Sequence, residues 1–331
     1  MSEQLLDELQ QANSPASDLT YFALAATAAK PAVQAPRAAL SELPEVLGGR
    51  YKIERLLGVG GMGAVYRARD LLREQLGDPE PYVALKTLSD DFAEYPDANS
   101  LLYSEFALTA RLNHPHVVRL LGFEVDIPSQ RAFLTLELLK GLTLDQLLSE
   151  RPEGLPWSEL QEIAIALLDA LNYSHSLGVL HGDLKPSNVM LAEDGLRLFD
   201  YGLGQPVEGL LPGLPRLCRN RFTAWTPRYA ALELLDGAPL SAAADVYAVA
   251  CVLYELASGR HPFSRQSAKQ AKAMELDTKL QCPEKLPGHC WPALQTALAL
   301  DEAARNINCA QLLEVFRQPT PSGWRRWLRR S

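Results

Sequence analysis

Two short stretches, His181-Gly182-Asp183-Leu184-Lys185-Pro186-Ser187-Asn188 and Phe199-Asp200-Tyr201-Gly202, carry the reading of this chain. Taken singly, each polar residue in them is an ordinary surface charge or turn residue. Taken together and in this order, they form a set with a chemical logic. Phosphoryl transfer asks little covalent work of a protein. It asks for metal ions bridging phosphates, neutralised charge and an oriented hydroxyl. Asp200 and Asn188 supply hard oxygen ligands for Mg²⁺. Asp183 can accept a hydroxyl proton, and Lys185 can neutralise a γ-phosphate.

Toward the N-terminus the same theme continues. Gly58-Val59-Gly60-Gly61-Met62-Gly63 holds the pattern Gly-x-Gly-x-x-Gly, whose glycines let backbone N–H groups approach phosphates. The pattern alone is weak, because dinucleotide folds use it where a strand meets a helix. Here Ala64-Val65-Tyr66 continues as a strand, so a β-hairpin over phosphates fits better. Val83-Ala84-Leu85-Lys86 then ends an apolar run on a lysine, which is expensive to bury without an anion. Glu105, on the helix predicted over residues 97–113, can supply one, and nucleotide phosphates the other.

With these motifs in view, the chain resembles the bacterial eukaryotic-like (Hanks-type) Ser/Thr protein kinases, from about Gly49 to Phe316. His114-Pro115, Glu137 at the hinge and Thr226-Pro227-Arg228-Tyr229-Ala230-Ala231-Leu232-Glu233 match the family pattern. So do Asp245-Val246-Tyr247, Gly259-Arg260-His261-Pro262-Phe263, and Asp301 with Arg305 on a late helix, whose arginine is expected to pair with Glu233. The resemblance implies an α+β, two-lobed protein-kinase fold, with a small β-rich N-lobe and a large α-helical C-lobe. It implies ATP bound by Gly58, Val59, Gly60, Gly61, Gly63, Val65, Ala84, Lys86, Glu137, Leu139 and Met190. Asp183, Lys185, Lys86 and Glu105 become catalytic, and Asn188 and Asp200 the ligands of Mg²⁺ or, in its place, Mn²⁺. Several positions depart from the pattern. Gly182 stands in place of an arginine, Tyr201 of a phenylalanine, Leu232 of a proline and Ala250 of a glycine, and Thr109 falls at a usually apolar helix position.

Composition agrees with a folded enzyme. The chain has 331 residues, 47% of them hydrophobic, and a formal charge of −8, which disfavours non-specific nucleic-acid binding. No apolar run approaches the length of a membrane span, and the N-terminus carries acids where a secretory signal carries Lys or Arg. The five cysteines lack zinc-ligand spacing and read as free thiols in a reducing cytosol. Residues 1–46 read as an Ala/Pro-rich disordered tail, with one short helical pattern around Leu19, Phe22 and Ala26. Residues 47–138 are the expected N-lobe, 139–318 the C-lobe and 319–331 a basic Trp/Arg tail, with order setting in near Gly49. The expected activity is transfer of phosphate from ATP to Ser/Thr hydroxyls of protein substrates, with autophosphorylation, in cytoplasmic signalling.

Two alternatives frame that expectation. A catalytically silent module on the same fold is opposed by the complete set of Lys86, Glu105, Asp183, Lys185, Asn188 and Asp200. A small-molecule kinase is opposed by the peptide-docking segment from Thr226 to Glu233. Two further features concern control and contacts. Gly182 cannot pair with a phosphorylated loop residue, and Thr223, near Arg216, Arg219 and Arg221, is the single candidate phosphosite. Trp324-Arg325-Arg326-Trp327-Leu328-Arg329-Arg330 places Trp324, Trp327 and Leu328 on one helical face. A solvated tail, or tryptophans folded back onto the large lobe, is preferred there to peripheral membrane contact, since seven residues make a short anchor.

Overall fold

A computed structural model describes residues 43–59, 63–88, 98–207, 210–211 and 226–319. These divide into two compact units. The first comprises the chain up to Gln146 together with Pro186–Gly204 and Leu211–Thr226, and the second takes Leu147–Lys185, Gln205–Leu210 and the chain from Pro227 onward.

The first unit is built on an antiparallel sheet. Its strands are β1 (Val46–Leu47), β2 (Tyr51–Val59), β3 (Gly63–Asp70), β4 (Tyr82–Leu88), β5 (Leu120–Asp126) and β6 (Arg131–Glu137), in the order β1-β2-β3-β4-β6-β5. Side chains alternate between the faces of a strand, and that alternation builds two cores. Val83 and Leu85 of β4 join Leu47, Tyr51, Ala68 and Phe133 on one face. Ala84 and Leu88 join Val65, Leu102, Leu134 and Leu136 on the other. Lys86 lies between Ala84 and Leu88 in this period and therefore shares the face covered by helix α2 (Ala98–Thr109). A second sheet, order β10-β9-β7, contains β7 (Gly141–Thr143), β9 (Val189–Ala192) and β10 (Gly195–Leu198).

Three details of this unit differ from the sequence expectation. The described order starts at β1, ahead of Gly49, because Val46 and Leu47 pair with Lys52 and Tyr51. A short helix, α1 (Leu71–Gln75), interrupts a stretch that reads as β throughout. Asp70 ends β3 and caps α1 at once, accepting from the N–H groups of Leu72 and Arg73 while Arg50 bonds its carboxylate at 2.7 and 2.8 Å. Helix α2 stops at Thr109 rather than Asn113, closed by bonds from Arg111 N–H to Leu108 and from Leu112 N–H to Thr109. Thr109 itself is buried.

The second unit is mostly helical. Helix α3 (Leu144–Glu150) leads into α4 (Trp157–Ser176), which packs against α6 (Ala242–Ser258). Between them in sequence lie the two-stranded ladder of β8 (Val179–Leu180) with β11 (Gln205–Pro206), and the one-turn helix α5 (Leu232–Leu235). Helices α7 (Ala268–Ala273), α8 (Trp291–Ala297) and α9 (Cys309–Arg317) complete the unit, α9 lying along α4. Helix α6 is apolar nearly all round, with Val246, Val249, Val252, Leu253 and Leu256 buried, as a central core helix must be. Ser241 caps its start, accepting from Ala244 N–H. The late helix expected around Asp301 and Arg305 is a single 3₁₀ turn, Glu302–Ala304, capped by Asp301. Among the described residues, no helix is long and apolar enough to cross a membrane.

Candidate active site

In the first unit the strand, the helix and a hairpin end converge on one ammonium group. Lys86 Nζ lies 2.6 Å from both carboxylate oxygens of Glu105 and 2.8 Å from Oδ1 of Asp200. Lys86 and Glu105 are almost wholly buried, with side-chain exposures of 5% and 7%. Burial is the dominant influence on Glu105 and pushes its carboxyl up, the nearby Asp200 charge adds to that, and Lys86 pulls it back. An ion pair this dry holds its geometry because neither partner has water to turn to.

The β9–β10 hairpin explains why Asn188 and Asp200 belong together. Its register pairs Val189 with Leu198, so the residues just outside it, Asn188 and Phe199, face each other across the hairpin's open end. Phe199 N–H donates to the Asn188 carbonyl at 3.1 Å and fixes that end. Asn188 sits in a buried 3₁₀ turn, Pro186–Asn188. Asp200 adopts φ +68°, a left-handed conformation that aspartate tolerates better than most residues and that recurs at functional positions. Gly202 follows at close quarters. A Cβ there would lie 3.1 Å from Asp200 Oδ1, 3.3 Å from Glu105 Oε2 and 3.4 Å from Lys86 Nζ, so a side chain would press on the cluster. An amide oxygen and a carboxylate are hard donors, and they fit Mg²⁺ or Mn²⁺ rather than zinc.

Val65, Ala84 and Met190 are fully buried in one apolar cluster with Leu57, Leu136 and Leu139. Such a set offers apolar walls to a flat heterocycle. Glu137 ends β6, and its carboxylate accepts from Arg119 N–H at 2.8 Å. Gly58 and Val59 close β2 opposite Val65 and Ala64, and Gly63 opens β3 opposite Leu88. Gly60 and Gly61 lie outside the described residues.

In the second unit, Lys185 Nζ donates to Asp183 Oδ2 at 2.7 Å. The loop bearing them hangs from Asp245 at the start of α6. Its carboxylate accepts from Gly182 N–H at 2.9 Å, from His181 N–H at 2.8 Å and from His175 Nε2 at 2.9 Å. Burial alone would raise the Asp245 pKa. The bond from His175, the His175 and His181 charges and the Gly182 N–H outweigh it and hold the carboxyl below the usual range. Gly182 has φ +80°, the region that only glycine occupies without strain.

The segment from Arg228 to Glu233 is anchored within the same unit. Arg305, with no side-chain exposure, bonds Glu233 at 2.7 Å and also donates to the Ala243 and Ala299 carbonyls. This pair is the one expected from the sequence. Tyr229 OH donates to Glu255 at 2.6 Å, and His261 Nε2 donates to the Arg228 carbonyl at 2.9 Å. Asp245, His175, Tyr229 and Glu255 are additions to the site residues expected from sequence. Asp245 stands out there only as part of a helix motif, since its partners are distant along the chain. Thr223, Arg216, Arg219 and Arg221 lie outside the described residues.

The protein kinase domain family matches residues 51–318. The serine/threonine-protein kinase PkaA of Streptomyces coelicolor is 33% identical over 268 residues, 76% of this chain and 47% of that protein. The DNA damage-responsive serine/threonine-protein kinase RqkA of Deinococcus radiodurans is 38% identical over 221 residues, 66% of this chain and 31% of its own length. The chain thus spans about half or less of the curated relatives it matches. The crystal structure of a point mutant of the Mycobacterium tuberculosis PknI kinase domain aligns with TM-score 0.60 and 25% identity, covering 83% of this chain and 98% of that one. From its fold, its paired-ion cluster and these matches, the chain belongs to the protein kinase family, among sequences resembling the bacterial Ser/Thr kinases.

Proposed function

We infer that this protein transfers the γ-phosphoryl group of ATP to serine or threonine hydroxyls of protein substrates in the cytoplasm, with Mg²⁺ as the metal and Mn²⁺ able to replace it. The observation that carries this reading is the buried cluster of Lys86, Glu105 and Asp200 beside Asn188. Burying a lysine and two carboxylates is unfavourable for stability alone, and a cation held in place for phosphate accounts for their presence. The four described cysteines, Cys251, Cys282, Cys290 and Cys309, are free thiols, as a reducing compartment leaves them.

Each residue has a role in that transfer. Val65, Ala84 and Met190 receive the adenine, and the Glu137–Leu139 backbone borders it. Glu105 holds Lys86 in place to position phosphate oxygens. Asn188 and Asp200 hold the metal. Bound there, a metal ion would supply Lewis-acid neutralisation of phosphate charge. Asp183 takes the proton of the attacking hydroxyl, and Lys185 offsets the charge that builds on the phosphoryl oxygens. The hydroxyl oxygen forms the new bond to phosphorus, and the bond to the bridging oxygen breaks with its electron pair leaving on ADP.

The test is transfer of labelled γ-phosphate to a protein acceptor, followed by acid hydrolysis to identify the phosphorylated residue. Phosphoserine or phosphothreonine supports the reading. Label passing only to a sugar or aminoglycoside, or no transfer with Mg²⁺ or Mn²⁺, overturns it.

A further inference from the structure

We propose that Arg197 is a positioning residue for the nucleotide, tying the end of β6, which borders the adenine, to the hairpin that carries Asn188 and Asp200. The inference rests on the proposed function and deepens it at the same site. Arg197 lies within the first unit, its side chain 11% exposed, and its Nε forms an ion pair with Oε1 of Glu137 at 3.5 Å. Its Nη2 donates to Asp194 in the β9–β10 turn at 2.5 Å, and its Nη1 donates to the Leu196 carbonyl at 3.3 Å. A guanidinium suits this place because its planar fork reaches two carboxylates at once.

The strand register shows what the arginine stands beside. Thr143, Met190 and Arg197 pair in one row across β7, β9 and β10. Residues directly opposite each other in an antiparallel ladder share a face. Arg197 is therefore on the side of the hairpin where Met190 joins Val65, Ala84 and Leu139. Leu196 and Leu198 alternate to the other side.

Glu137 is gripped from two directions. Its N–H donates to the Arg119 carbonyl at 3.0 Å, and its Oε1 accepts the Arg119 N–H at 2.8 Å. Arg197 faces the same oxygen. Beyond Glu137 the ladder ends, and residues 138–140 form no strand. At the far end of that stretch, Glu193 N–H donates to the Lys140 carbonyl at 3.1 Å. The stretch is thus fastened to the β9–β10 hairpin at both ends, by Arg197 on Glu137 and by Glu193 on Lys140. The hairpin itself is fixed to the chain ahead of β5, with Leu198 N–H on the His116 carbonyl at 2.8 Å and Val118 N–H on the Leu198 carbonyl at 2.9 Å.

A buried ion pair is a weak source of stability, because desolvation of both charges opposes their attraction. What this pair fixes is a spacing. The hairpin bears Met190 on β9 and holds Asn188 and Asp200 at its open end, so its distance from residues 138–140 sets where the adenine lies relative to the metal ligands. A nucleotide held at both ends binds well only when that distance is set beforehand.

Titration calorimetry with ATP and Mg²⁺ on the full chain tests this, together with label transfer and hydrogen exchange. Arg197→Met keeps an unbranched side chain and loses the charge. Its Kd for ATP is expected to rise about fivefold or more while kcat at saturating ATP stays within about twofold, the pattern of lost binding rather than a lost transition-state contact. Without nucleotide, the amides of residues 137–140 should exchange about threefold faster or more. Arg197→Lys, whose ammonium still reaches Glu137, should return the affinity to within about twofold of wild type. Glu137→Gln should weaken ATP binding to a similar degree, and Arg197→Met/Glu137→Gln no further, because both changes remove one interaction. Losses that multiply in the double variant overturn the inference. So does a lysine variant as poor as the methionine one with an equally lowered Tm, which assigns Arg197 to stability alone. A wild-type chain that binds no ATP overturns the proposed function and this inference together, whereas normal wild-type binding with unchanged affinity in Arg197→Met overturns this inference alone.

Discussion

Asp245 and Gly182, 63 residues apart in sequence, are joined by a 2.9 Å hydrogen bond from the Gly182 N–H to Oδ1 of the buried carboxylate. The same carboxylate takes the His181 N–H on its other oxygen, so two consecutive amides of the loop that bears Asp183 are pinned to the first turn of α6. The loop reaches this geometry with Gly182 at φ +80°. A Cβ in the left-handed region is unfavourable by roughly 1–2 kcal/mol. Gly182→Ala is therefore expected to lower unfolding free energy by about that amount in urea, with an unchanged m-value. Asp245→Asn is expected to do more, because it removes the carboxylate charge next to His175 and weakens one of the two amide anchors. Its kcat should fall while the KM for ATP holds, since the residues proposed to receive the nucleotide, Val65, Ala84 and Met190, lie in the other unit. Wild-type stability in Gly182→Ala would show that the backbone there is not restrained as described.

Lys86→Met removes the ammonium that Glu105 and Asp200 share. Glu105 is left buried without its cation, and its already raised pKa lets it take a proton instead of remaining a naked charge. The fold should therefore survive, while phosphorylation drops by a hundredfold or more, because the lost interactions serve the transition state. Asp200→Asn should act similarly by weakening the metal site, with part of its activity recovered at high Mg²⁺ or Mn²⁺. Near-normal turnover in both variants would remove the site assignment.

His261 carries a pH-dependent part of the stability. Its Nε2 donates to the Arg228 carbonyl, and its Nδ1 accepts from the Phe263 and Arg265 N–H groups at 3.2 and 3.3 Å, so the ring is held neutral. Burial lowers its pKa from 6.5 to about 3. The folded pKa lies below the unfolded one, so the unfolded chain binds the proton more readily between those values. The contribution is complete above pH 6.5 and is lost as pH falls toward 3, at up to about 1.4 kcal/mol per pH unit. Asp245, whose carboxyl is held low, adds its own loss only at more acidic pH, below the ordinary aspartate range. Thermal melts at about pH 7, 6 and 5 should show Tm falling in the wild type and a flatter profile in His261→Gln, which keeps a donor and an acceptor but does not titrate. Parallel profiles would exclude His261 as the titrating group.

What can be read from the sequence, and what cannot, follows from the range of each interaction. The pairing of Lys86 with Glu105 is legible because a lysine ending an apolar strand needs an anion beside it. Strand alternation around Ala84, Lys86 and Leu88 even indicates which face the lysine takes. Helix α1 is hidden because Asp70 serves as strand end and helix cap at once, and five residues are too few for a periodic signal. The anchoring by Asp245 is hidden for another reason. It joins a helix start to a loop far away in sequence, and only the folded chain brings them together. Gly182 is legible as a missing arginine, but its backbone role is not, because φ is not written in a residue name.

Gly182 also bears on control. In relatives with arginine beside the catalytic aspartate, that guanidinium binds a phosphorylated loop residue and orders the loop. Here the position has no side chain and is spent on the amide bond to Asp245. Meanwhile the segment beyond the loop is fastened without phosphate, by Arg305 on Glu233 and by Tyr229 on Glu255. Glycine also leaves no unpaired cation next to Asp183 in an unmodified protein. Thr223→Ala, purified after phosphatase treatment, is therefore expected to keep most of its activity on an added protein substrate. The measurement is the initial rate of label transfer at saturating ATP, alongside nucleotide affinity as a check on folding. A loss of a hundredfold or more with ATP binding preserved would mean that modification at Thr223 controls the enzyme, with Arg216, Arg219 and Arg221 as the residues to test next for pairing with its phosphate.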